Sequence, residues 1–205
     1  MTKWFRRLGE IPCVRYDTPQ DIDRLHLPDH NLVPELHEFE FDGRRHESLS
    51  WRTREGSTSA SPAHGWETEP RPGESPAQTA LRQLFETFEL PGVASDYHFA
   101  IARCNEALWK YRREETWVIE QIESLCWLDI RLLDACPEAI SFEREGEIQY
   151  ANVEAFYRLI NLYENDGYLK EALEVARCAV RFNQAQNYFE SLQERVAQLE
   201  AEDAN

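Results

Sequence analysis

From residue 76 onward the large apolar residues recur three and four positions apart, the spacing of one face of a helix, and before it no such period is sustained. Ser75 and Pro76 supply an N-cap and a proline at the first helical position, and Leu81, Leu84, Phe85 and Phe88 share a face until Leu90, Pro91 and Gly92 end the segment. A second helix is predicted from about Asp96 to Tyr111, with Tyr97, Ile101, Cys104, Leu108 and Tyr111 as a single stripe. A third, roughly Glu115 to Ala135, carries Val118, Ile119, Ile122, Leu125, Cys126, Ile130 and Leu133 over a wide arc, as a helix touched on two sides would, and Pro137 stops it. Residues 137–150 read as a connector. Helices at about 152–165 and 168–182 follow, broken by Asp166 and Gly167, and a last one over about 185–201 has Tyr188, Leu192, Val196 and Leu199 on one face. The expected fold is mainly α, built of antiparallel helical hairpins, with a helical domain over 80–205.

The first 79 residues form a different, N-terminal region. Residues 1–34 mix aromatic, proline and charged positions and read as an extended strap with a helical turn near Asp21 to Leu25. Phe39 and Phe41 alternate with Glu, Asp42 and Gly43 tolerate a tight turn, and Leu49 and Trp51 alternate beyond it, which predicts a β-hairpin. From Arg52 to Thr79 the chain is rich in Gly, Ser, Thr and Pro and reads as a long loop or flexible linker.

The net charge of −16 modifies this picture because of where it lies: −4 over residues 1–42, 0 over 43–79, −7 over 80–147 and −5 over 148–205. The helical part is the acidic part, so direct nucleic-acid binding through a basic footprint is not expected, and a basic or polar protein partner is steered toward it. Of the acidic residues 28 are Glu and 10 Asp, a balance that suits helices better than calcium loops. No apolar stretch is long enough for a secretion signal or a membrane span, and five scattered cysteines without a CxxC pair fit reduced thiols, so a cytoplasmic protein is expected.

Over Val153 to Phe182, Phe156, Leu159 and Tyr163 are the large residues of one helix, Gly167 sits in the turn, and Ala172 and Ala179 are small residues seven apart in the next. Small residues at that spacing let antiparallel helices approach closely while the large ones fill the groove between them. This segment, 153–184, resembles a tetratricopeptide repeat. It departs from that pattern at Gln184, where a closing proline is usual, and at Ile160, where a small residue is usual. The resemblance implies that the first helix lines a peptide-binding groove with Glu154, Tyr157, Asn161, Glu164 and Asn165, and that the helix after residue 185 caps the array. One aromatic, two amides and two carboxylates suit a basic or polar extended segment.

Other chemistry is sparse. Asp21, Asp23, His26, Asp29, His30, Glu35, His37 and Glu38 are the densest group of metal-capable residues. His26 and His30 are four apart, as in helical zinc sites, but Pro28 breaks a helix there and no HExxH completes the pattern; His26, His30 and His37 are only weak metal candidates. Cys104 and Cys178 lie on helices expected to be packed, Cys13 has no His placed to activate it, and residues 56–62 lack the ending of a phosphate loop. Trp109, Trp117 and Trp127 fall on predicted helices, where packing is their usual role. No catalytic motif or cofactor is expected. The leading expectation is a helical adaptor. Two alternatives are a small acidic inhibitor that blocks a basic partner, and a metal-dependent enzyme or regulator using the N-terminal histidines. Whether the stripe of the last helix is buried within the monomer or between two copies of a homodimer is left open.

Overall fold

A computed structural model of the chain describes residues 35–41, 44–53, 56–58, 63, 68–88 and 93–203. The strap, with the turn expected near Asp21 and with His26 and His30, lies outside them. The described chain is mainly helical and divides into two compact units, the boundary falling between Ile122 and Glu123.

In the first unit three antiparallel strands, β1 (Glu35–Phe41), β2 (Arg44–Thr53) and β3 (Gly56–Thr58), pair in the order β1-β2-β3. Phe41 faces Arg44 and Phe39 faces His46, so only residues 42 and 43 join β1 to β2, as alternation around Asp42 and Gly43 predicts. The reading of 52–79 as loop or linker is corrected at 52–53 and 56–58, which are strand, and at 76–79, which are helix. β2 runs on through Arg52 and Thr53, which pair with Ser57 and Gly56, because β-branched and short polar residues serve a strand as readily as a loop when a neighbour supplies the ladder.

Helix α1 (Pro76–Phe88) packs on α2 (Ala94–Tyr111), with the rings of Phe88 and Tyr97 6.2 Å apart. Leu84, Phe88, Tyr97, Ile101, Cys104 and Leu108 are buried, with Val118 and Ile122 from the start of α3 (Trp117–Ala135). Four members of the expected stripes stay out of this core, Tyr111 being only half-buried. Ile119 is 39% exposed, and Leu81 and Phe85 line an open groove of about 400 Å³ with Gln78, Arg82 and Trp117.

Residues 68–74 are latched onto α1 by charge. The Glu86 carboxylate is fully buried and accepts from Arg82 at 3.0 and 3.1 Å and from the Thr68 hydroxyl at 2.6 Å. Arg82 also forks onto Glu74 at 2.7 and 2.9 Å and donates to the carbonyl of Glu69. With Arg71 donating to Glu86 as well, two carboxylates meet two guanidinium groups, which is the condition under which buried charge is tolerated.

The second unit contains the rest of α3, a single 3₁₀ turn (Pro137–Ala139), a hairpin of β4 (Ser141–Arg144) and β5 (Glu147–Tyr150), and three helices, α4 (Glu154–Asn165), α5 (Leu169–Val180) and α6 (Gln186–Asp203). The hairpin replaces the plain connector expected over 137–150. Its two-residue turn places Glu145 at φ 57° and Gly146 at φ 83°, the left-handed pair that joins twisted strands, and the pattern was too short to announce itself.

The C-terminal ends of α4 and α5 are closed by the same device. At the end of α4, Gly167 adopts φ 83° while the Tyr168 amide donates to the carbonyl of Tyr163 at 2.8 Å and that of Gly167 to Glu164. After α5, Asn183 adopts φ 57°, and the Gln184 and Asn183 amides donate to Ala179 and Val180. These are Schellman closures, with glycine and asparagine where positive φ is required. The tight reversals set α5 against both neighbours, and Ala172, Ala176 and Ala179 are wholly buried there. Phe156, Leu159, Ile160, Val175, Phe182 and Leu192 complete the core.

Candidate functional site

The residues expected to line a groove form one file along α4: Glu154, Tyr157, Asn161 and Glu164 follow at steps of three, four and three, and Asn165 stands four beyond Asn161. Glu154, Asn161 and Asn165 are exposed; Tyr157 and Glu164 are half-buried. The apolar face opposite, with Phe156, Leu159 and Ile160, turns the file outward.

Helix α6 completes this surface. The rings of Tyr157 and Tyr188 meet edge to face at 6.1 Å, and the Arg195 guanidinium donates to the Glu164 carboxylate. The partners advance by seven residues on both helices, from 157 to 164 and from 188 to 195, so α4 and α6 run in the same direction. α5 runs opposite to both: Lys170 at its start pairs with Glu200 near the end of α6 at 2.9 Å. The result is an up-down-up trio whose two parallel members share one side-chain surface.

Within that surface, polar groups are paired but not buried. The Asn165 amide donates to the side-chain oxygen of Asn161 at 3.0 Å, and that of Asn152 donates to Glu154 at 2.9 Å. Tyr188 and Arg195 belong to the site and were not singled out by the sequence reading, which placed Tyr188 in an apolar stripe. The stripe is only partly buried. Leu192 and Val196 are covered, whereas Tyr188 is 46% and Leu199 44% exposed. The helix α6 is six residues longer than α5, about 9 Å of axis.

Behind the site, Tyr163 joins α4 to α3. Its hydroxyl donates to Glu123 at 2.5 Å and accepts from the Trp127 indole at 2.9 Å. Burial, then the hydrogen bond to the Glu123 carboxylate, pushes the phenol up to about 12. Trp127 therefore bridges the helices through its N–H. Three of the four described thiols are poor nucleophiles: burial pushes Cys104 up to about 12 and Cys126 higher still, and Cys178 is raised for the same reason. Cys13 lies outside the described residues.

Among the described residues no cluster of three His, Cys, Asp or Glu side chains is arranged to hold a metal. Of the weak metal candidates, His37 sits on β1 opposite Ser48. No described helix is long and apolar enough to cross a membrane. The chain matches no protein-family model, no curated protein and no solved structure.

Proposed function

We propose that the chain is a protein-interaction module of tetratricopeptide-like geometry that receives an extended polar or basic segment of a partner along the shared surface of α4 and α6. The observation that carries this reading is the parallel course of the two helices, read from the Tyr157–Tyr188 and Glu164–Arg195 contacts, with α5 antiparallel between them in sequence. Such a surface offers amides for a peptide backbone at Asn161 and Asn165 and an aromatic anchor at one end. The net charge of −5 over residues 148–205 favours a basic segment and disfavours an acidic one.

A photo-crosslinking amino acid placed at Asn161 tests it, with a Tyr157→Ala/Asn161→Ala variant as control and capture repeated at low and high salt. A crosslinked partner that the folded variant no longer retains supports the module. Salt-sensitive capture of one basic protein by both forms supports the acidic-inhibitor alternative instead. Absence of any crosslink at Asn161 removes the α4 and α6 surface from consideration.

A further inference from the structure

We propose that the Tyr157–Tyr188 pair, with Glu154 beside it, is a receptor for an arginine side chain of the partner segment; this rests on the module reading above. The two rings meet edge to face at an interplanar angle of 68°, and Tyr188 keeps nearly half its surface open, so ring face remains available to a cation. Glu154 lies three residues before Tyr157, one turn away on the same file. Its carboxylate accepts from the neutral Asn152 amide and from no cation among the described residues.

The other end of the surface shows what a completed version of this arrangement looks like. Glu164, ten residues along α4 from Glu154, is neutralised by Arg195, which stands seven residues beyond Tyr188 on α6. Among the described residues a guanidinium is thus supplied to one carboxylate of the file and none to the other, beside the aromatic pair. Arginine fits better than lysine, because its planar head stacks on a ring while its edge forks onto a carboxylate. A second copy of the chain is a poorer occupant of this surface, since residues 148–205 carry a net charge of −5 and would be brought against themselves.

The test uses the full chain and a displayed library of random octapeptides. Enriched peptides are resynthesised with each arginine kept or replaced by citrulline, which preserves shape and removes charge. Their footprint is mapped by hydrogen exchange. Peptides that protect α4 and α6 and lose affinity roughly fivefold on the citrulline change are expected, with the difference abolished in Glu154→Gln and in Tyr188→Leu. Peptides that occupy the same surface equally well with citrulline overturn the arginine receptor and leave the module standing. Failure of any peptide to protect α4 and α6 overturns both.

Discussion

The side-chain amide of Gln184 brackets the backbone at the start of α4: its oxygen accepts from the Val153 amide at 2.9 Å and its nitrogen donates to the carbonyl of Ala151 at 2.9 Å. A residue 31 positions away thereby satisfies an N–H that the entry to the helix would otherwise leave open. This is also the position at which the repeat pattern expects proline. Substitution Gln184→Ala should cost about 1–3 kcal/mol, since two part-buried backbone groups lose their partners. Gln184→Pro, the nominal consensus change, should cost more than the alanine, because it also removes the 184 amide that donates to Ala179. Urea denaturation of the three proteins checks the order; a stabilised proline variant would contradict it.

Arg82 is the centre of the latch on α1. Replacing it with leucine leaves the Glu86 carboxylate buried without its principal counter-charge and should destabilise the first unit by about 3–5 kcal/mol. Thermal unfolding with a local probe at Trp117 reads the change.

The same latch gives an acid dependence. The hydrogen bonds from Arg82, with smaller help from the Arg71 backbone and Thr79, hold Glu74 down at about 2 against an ordinary value of 4.5. Because the folded value is the depressed one, the contribution is full above pH 4.5 and fades as pH falls toward 2. Glu74→Gln should flatten that part of the stability profile, measured by denaturant midpoints between pH 2 and 6.

Tyr163→Phe removes the group that both Glu123 and Trp127 bond, and should cost about 1–3 kcal/mol. In the unaltered protein one tyrosine should ionise near pH 12, well above the ordinary 10. Since the folded value is raised, the associated stability is complete below pH 10 and is lost as pH climbs through 12. Ultraviolet titration of the variant should lack that late step.

Cys104 and Cys126 are buried thiols held in the protonated form. Iodoacetamide at neutral pH should leave both unlabelled in the native protein and label them once denaturant is added, as peptide mapping would show.

Much of the helical unit was legible from local pattern. The three- and four-residue spacing marks α1 to α6 to within a few residues at each end, because an amphipathic helix writes its buried face into every turn. Gly167 and Pro137 also stop helices where they should, since both act on the backbone of their own neighbourhood. The β4–β5 hairpin escaped notice for the converse reason: four-residue strands with exposed Phe142 and Ile148 leave too short an alternation to distinguish from a loop. The candidate file on α4 could be named only through the resemblance to a tetratricopeptide repeat, and its partners on α6 could not be named from it.

What the sequence by itself determined is therefore local: where helices begin and end, which face of each is apolar, and that the acidic charge rides on the helical half. Tertiary structure alone decided the pairings between distant positions. It set Tyr157 against Tyr188, gave Arg195 to Glu164, turned Gln184 back onto Val153 and enclosed Glu86 with Arg82 and Thr68. The physical reason is that periodicity records only whether a side chain faces water or the interior. Which partner a polar group finds depends on how helices are placed in space, and that placement is set by the summed packing of many apolar contacts, none of which is written at the polar residue itself.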